Sequence, residues 1–279
     1  MRTRATIILG LLLLAGPAPG EEPPVRPATP EQAAEAVLAA RAAQDEVGLA
    51  LLAAKDEPDP WLVADDLLRR GEHEVAAVFA QAAPRVDVEG LPGYVTSQQG
   101  KLDDAGRRER LTQSSTALTA QDPTAALEAL GPAEPGAIED VVGVRLAMGR
   151  GLALAALGRP DESHAAFLAA AEAAERLGWL ARAVPAYQRA GNAAYRGSAY
   201  APAVTAWERW LALCERCGDN SGAAGAIGNI GTVHFAQGAY GKALEVFQRA
   251  LAAQEALGNS SAGGHAHADP GRPGGALGL

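Results

Sequence analysis

Apolar and small residues recur with a fixed period of 40 between Arg182 and Ser261. Sliding the chain by that period pairs Gly191 with Gly231, Tyr195 with Phe235, Tyr200 with Tyr240, Ala203 with Ala243, Trp207 with Phe247, Leu211 with Leu251 and Gly218 with Gly258. Matching residue classes at one long period mark a repeat architecture. Within each unit the apolar positions follow helical spacing, broken by turn residues. The second unit therefore predicts a helix over Ala223–Ala236, a turn at Gln237–Gly238 and an antiparallel helix over Ala239–Leu257, closed by Gly258. Val142–Ala181 reads as a third copy, with Gly151, Gly158, Pro160, Phe167 and Gly178 at the matching places.

The spacing Ile227-x2-Ile230-Gly231-x2-His234, then Ala243-x3-Phe247, resembles the tetratricopeptide repeat. The preceding unit gives Tyr187-x2-Ala190-Gly191-x2-Ala194, then Ala203-x3-Trp207. Small residues at Gly231 and Ala243 let paired helices approach, and Phe247 fills the space between them. The chain departs from the family in lacking a Trp at Ile227, a Tyr at His234 and a closing Pro, and its period is longer. The resemblance implies an all-α fold, a right-handed superhelical solenoid of antiparallel helix pairs. It also implies a protein-binding scaffold with no catalytic residues, whose first helices line an inner groove.

Upstream the pattern is weaker, and residues 29–130 read as degenerate repeats. Thr29 caps a helix that begins at Pro30 and runs to about Lys55, with a weak point at Gly48. Asp59 caps the next helix, Trp61–Arg70, and Glu74–Ala83 returns after a turn at Gly71–Glu72. Val86–Gly93 reads as a loop, Tyr94–Ala120 as a polar helix weakened by Gly100 and Gly106, and Thr124–Leu130 as a short second helix. Residues 131–136 form a Gly/Pro loop, the clearest internal boundary, ahead of three repeats over 137–258. The stretch Asp59–Val95 is similar to the lead-in of bacterial repeat proteins that continue into a CHAT domain, a caspase-like peptidase fold. That likeness implies a second function class: the regulatory or substrate-recruiting part of a CHAT-type peptidase whose catalytic domain lies outside this sequence.

Composition narrows the picture. Residues are 48% hydrophobic but only 5% aromatic, which suits thin stacked hairpins better than one deep core. A formal charge of −9 argues against nucleic acid or an anionic membrane as the main partner. Residues 1–20 have the order of a secretory signal peptide: basic Arg2 and Arg4, an apolar run Ala5–Ala15, then Ala18 and Gly20 before a cut ahead of Glu21. The run is shorter than the ~18–20 residues that cross a bilayer, so export is expected and stable membrane insertion is not. Residues 21–28 read as a flexible leader, and 259–279 as a disordered tail with almost no bulky side chains. The last repeat carries Leu244, Phe247, Leu251 and Leu257 with no capping helix after Gly258. It is therefore expected either to continue into a longer array or to self-associate through that strip.

Candidate chemistry is sparse. Cys214 and Cys217 form C-E-R-C, but Cys217 aligns with Leu177 and Leu257, so its slot reads as buried and the pair as structural. Asp161, Ser163 and His164 have the letters of a hydrolase triad, yet within four consecutive helical residues they cannot converge. His265-x-His267-x-Asp269 is an incidental tail pair, and His234 fills an aromatic slot. No motif calls for a cofactor, a metal or a catalytic group. Trp207 and Trp210 read as packing. The binding candidates are polar and aromatic residues on the first helices. Gln188, Asn192, Tyr195 and Arg196 form one stripe, Thr232 and Phe235 match it in the next unit, and Arg145 matches it in the unit before. Amides suit a peptide backbone and aromatics its side chains, so a protein or peptide is the expected partner.

Overall fold

The computed structural model describes residues 27, 29–53, 58–83, 90–98, 105–133 and 136–265, with side chains up to 253 and at 255. The signal-peptide reading and the His265-x-His267-x-Asp269 side chains lie outside these residues. Among them, thirteen helices follow one another with no strand: α1 (Pro30–Ala42), α2 (Glu46–Ala53), α3 (Pro60–Arg69), α4 (His73–Ala82), α5 (Leu91–Gln98), α6 (Ala105–Thr119), α7 (Pro123–Leu130), α8 (Val141–Ala156), α9 (Pro160–Leu177), α10 (Leu180–Arg196), α11 (Tyr200–Cys217), α12 (Asn220–Ala236) and α13 (Tyr240–His265). The fold is all-α, built from antiparallel helix pairs. Two compact units divide it, residues 1–186 and 187–279, and the division falls within α10.

Helix starts follow local chemistry. Asp59, Asp122, Asp140 and Asp219 each accept a hydrogen bond from a backbone N–H in the first turn of α3, α7, α8 and α12, at 2.7 to 3.0 Å. Each such cap is worth about 1 kcal/mol. Pro30, Pro60, Pro123 and Pro160 open helices, where a missing N–H costs nothing.

In the first unit, α3 packs on α1, α4, α5 and α8. Its Trp61 is fully buried, stacked on Trp179 at 5.6 Å and tilted against Tyr94 at 5.2 Å. The turn after α9 meets the start of α5 backbone to backbone. A Cβ on Gly178 would lie 2.7 Å from the Gly90 Cα, so neither position has room for a side chain. Leu130, Val142 and Leu146 form a further buried cluster where α7 meets α8, with Leu111 of α6 against it.

The repeat register is visible in one contact made three times. A Cβ on Gly231 would lie 2.8 Å from the Phe247 ring, and Gly151 and Gly191 meet Phe167 and Trp207 more closely still. Each first helix thus presents bare backbone to an aromatic on its second helix, as the 40-residue period predicts. The packing stripe Tyr187, Gly191, Ala194 is buried as expected.

Four sequence expectations are corrected. The first helix does not reach Lys55: it stops at Ala42, Gln44 turns with φ +56, and α2 begins at Glu46 with the Asp45 side chain accepting from the Gly48 N–H at 2.8 Å. A new cap breaks the helix, and Gly48 sits inside α2. The expected helix Tyr94–Ala120 is two helices, and α5 already begins at Leu91, within the expected loop, because Leu91, Tyr94 and Val95 form a buried face. Cys217 is exposed, where its alignment with Leu177 and Leu257 predicted a buried slot, and Cys214 is buried like its equivalent Ala174. Leu177, which ends α9 at the equivalent place, is itself only half-buried. Finally, α13 does not end at Gly258 but continues to His265. Gly178 and Gly218 reverse the chain because a following helix packs there. Among the described residues no helix follows α13, and propagation costs little once a helix is formed.

Candidate functional site

The sequence candidates fall on both units, and each unit carries its own cluster. In the first, Asp65 stands on α3 one turn after Trp61, so its carboxylate enters the packed side of the helix and is only 6% exposed. Its oxygens accept from Arg108 of α6 at 2.8 Å and from the Tyr94 hydroxyl at 3.2 Å. The same hydroxyl accepts from the Val141 N–H at the start of α8, at 3.5 Å. Burial, reinforced by the Asp65 charge, raises the Tyr94 pKa and keeps the phenol neutral.

Arg145, the candidate on α8, belongs to this cluster. Burial lowers its pKa; Asp65 acts in the opposite direction, while Arg182 and Arg108 add to the lowering. Arg182 stands 3.6 Å from the Asp59 carboxylate, and its guanidinium lies 5.5 Å over the Trp179 ring. The Trp179 indole N–H donates to the same Asp59 at 3.1 Å. Among the described residues, Arg145 makes no hydrogen bond or ion pair of its own. Arg108 and Arg182 pair with Asp65 and Asp59, while Asp65 and Glu31 act on Arg145 by charge alone.

In the second unit the amides come together. The Asn229 side chain of α12 donates to the Asn192 Oδ1 of α10 at 3.5 Å. Gln188 and Asn192 are half-buried and Arg196 is exposed. Tyr195 is drawn into packing, 5.7 Å from Tyr200 and 5.9 Å from Trp207, and so contributes less open surface than its stripe position suggests. Phe235 repeats the pairing with Tyr240 at 5.4 Å, but both rings stay open, 58% and 64% exposed. Thr232 turns its hydroxyl back to the Gly228 carbonyl of its own helix at 3.1 Å.

No protein-family model matches the chain, and no curated protein matches it. Among solved structures the chain is similar to BtubC (BKLC) from P. vanneervenii, with 19% identity and a TM-score of 0.49 over 89% of this chain and 96% of that one. It is also similar to the apo form of RapI, with 13% identity and a TM-score of 0.46 over 73% of this chain and 72% of that one. No helix among the described residues is long and apolar enough to cross a membrane.

Two of the remaining chemical candidates, Ser163 and Cys214, are held in packing. The Ser163 hydroxyl is fully buried and donates to the Gly151 carbonyl at 2.9 Å, which ties the two helices of that repeat together. The Cys214 thiol lies 3.6 Å from the Asp219 carboxylate, and burial together with that charge pushes its pKa up to about 12. It stays a neutral thiol at physiological pH and not the reactive thiolate. Sequence reasoning missed Asp65, Arg108 and Asn229. Asp65 had a signal: an acid four residues after Trp61, on the apolar face of an amphipathic helix. Asn229 had none, because its repeat partner Arg189 is exposed and of different chemistry.

Proposed function

We propose that the chain is a non-catalytic interaction scaffold that binds an acidic protein segment through the first helices of its repeats. Arg145 carries the reading. A half-buried guanidinium without an acceptor of its own is an unfilled site for a carboxylate, and charge-assisted hydrogen bonds of this kind are strong and oriented. The Asn192–Asn229 amides and the open Phe235–Tyr240 pair supply, within the second unit, groups suited to a peptide backbone and an apolar side chain. The order of residues 1–20 supports export, and N-terminal sequencing of the exported protein, starting at Glu21, checks it.

The test is an arrayed peptide library probed with the full chain. Peptides carrying Asp or Glu are expected to be enriched over their amide counterparts. Arg145→Ala is expected to weaken the best of them by roughly tenfold or more, the value of a lost charged hydrogen bond. Enrichment indifferent to acidity, or an Arg145→Ala affinity equal to wild type, would remove the proposal.

Self-association is a second reading, favoured by the outer face of α13. Leu244 and Leu251 are 59% and 54% exposed and lie two turns apart on one face, with Phe247 between them. An apolar strip of that kind marks an interaction surface. Sedimentation is expected to show a concentration-dependent oligomer that Leu244→Ser with Leu251→Ser dissolves. A monomer at high concentration counts against this reading and leaves the peptide site untouched.

A further inference from the structure

Both repeats of the second unit carry an aromatic pair at the hairpin turn. Tyr195 near the end of α10 lies 5.7 Å from Tyr200 at the start of α11, and Phe235 near the end of α12 lies 5.4 Å from Tyr240 at the start of α13. The 40-residue period makes the two pairs equivalent, so they share one edge of the unit. Packing on Trp207 accounts for part of the first pair, whose rings are half-buried. Nothing of that kind covers the second, where Phe235 and Tyr240 are 58% and 64% exposed. Large aromatics held side by side in water mark an interaction surface.

The polar groups of this edge are of one kind. The hydroxyls of Tyr195, Tyr200 and Tyr240 make no hydrogen bond among the described residues. Residues 190–207 contain Arg196 and no carboxylate, and residues 220–244 contain Lys242 and no carboxylate. Both cations are exposed, and neither has an ion pair among the described residues. In a chain of formal charge −9, this edge is therefore basic. It offers donors to a partner that brings carbonyl and carboxylate oxygens.

Spacing decides the conformation of that partner. The Asn229 amide reaches Asn192 at 3.5 Å, which sets α12 directly beside α10. Neighbouring helix axes lie about 8–10 Å apart, so the aromatic pairs repeat at about that distance. A polyproline II segment advances about 9 Å in three residues. Prolines three positions apart thus meet one pair each. Such a segment is already extended and brings few N–H groups that need an acceptor, while its carbonyls face outward to the hydroxyls.

We infer that the aromatic edge of the second unit binds an acidic, proline-rich segment in the polyproline II conformation. One proline rests on Tyr195 and Tyr200, and the next on Phe235 and Tyr240. Carboxylates between the prolines meet Arg196 and Lys242. The inference rests on the reading that the repeats present a peptide surface, and it adds the class of peptide. Arg145 belongs to the first unit and takes no part.

The test is fluorescence anisotropy on the full chain with a labelled peptide repeating Pro-Ala-Glu. Three further peptides repeat Ala-Ala-Glu, Pro-Ala-Gln and Pro-Ala-Ala-Glu; they remove the prolines, the charge and the three-residue spacing in turn. Saturable binding is expected for Pro-Ala-Glu, with each of the others weaker by roughly tenfold, the size of one lost aromatic or charged contact. Phe235→Ser combined with Tyr240→Ser, both at exposed positions, is expected to abolish binding with the thermal midpoint unchanged. If that variant does not fold, Tyr240→Ser alone replaces it and is expected to weaken binding by roughly tenfold. Arg145→Ala is expected to bind Pro-Ala-Glu as wild type does. Equal uptake of the four peptides, binding that survives loss of the aromatic pair, or loss of binding in Arg145→Ala would each overturn the inference. Acidic peptides that bind through Arg145 while no proline repeat binds would overturn it alone, and leave the acidic site of the first unit standing.

Discussion

Trp207→Ala is expected to destabilise the second unit by about 3–5 kcal/mol. Trp207 is 2% exposed and seated against the bare backbone of Gly191, with Tyr195 on its flank. Truncation removes apolar burial and leaves a cavity between two helices that α10 and α11 cannot close, because the Gly191 side has no side chain to move in. Trp207→Phe is expected to cost far less, about 1 kcal/mol or below. Phenylalanine fills the equivalent slot at Phe167 and Phe247, and the indole Nε1 of Trp207 is buried without a hydrogen-bond partner among the described residues. Losing an unpaired N–H offsets part of the lost volume. Denaturant titration followed by circular dichroism separates the two variants. An alanine midpoint equal to wild type would mean that Gly191 and Trp207 do not pack, and a phenylalanine variant as weak as the alanine one would mean that the slot is not shared between repeats.

That slot shows what the sequence made legible. Gly151, Gly191 and Gly231 recur at one period with Phe167, Trp207 and Phe247, and a period shared by two residue classes on two helices specifies both the hairpin and its register. The same period carried the packing stripe at Tyr187, Gly191 and Ala194. Where no repeat exists, the reading lost its reference. The break at Gln44 depends on a local cap by Asp45, and the division of α5 from α6 on a buried face only two turns long. The Asp65 cluster joins residues 29 and 43 positions apart on helices with no common period. Pairing at such distances leaves no periodic trace, so Arg145 was singled out by its repeat position while the Asp65–Arg108 pair beside it was not. Cys217 shows the limit of alignment by repeat: its slot was read as buried from an equivalent, Leu177, that is itself only half-buried, and Cys217 is exposed. The short α7 was legible, since Thr124–Leu130 is brief in any reading.

Asp65→Asn is expected to cost about 3 kcal/mol, because removing one partner of a buried ion pair leaves the other charge without compensation. The Asp65 side chain is 9% exposed and Arg108, its ion-pair partner, 24%. The amide keeps the shape and one acceptor, so the Tyr94 hydroxyl loses little and the cost is largely electrostatic. If the pair is what matters, Asp65→Leu combined with Arg108→Met falls well short of the sum of the single effects, as a double-mutant cycle on coupled residues requires. The same substitution separates stability from binding. Asp65 pairs with Arg108 and acts on Arg145 by charge alone, and it opposes the approach of a second carboxylate. With it neutralised, the three guanidinium groups face Asp59 and the more distant charge of Glu31. An acidic peptide is then expected to bind Asp65→Asn more tightly than wild type by roughly tenfold, the size of one added charged hydrogen bond, while the protein itself unfolds at lower denaturant. Stability and affinity moving in opposite directions is an outcome that simple loss of structure cannot produce. Binding that weakens in step with stability would mean that Asp65 only braces α3 against α5 and α6, and that the carboxylate site is not at Arg145.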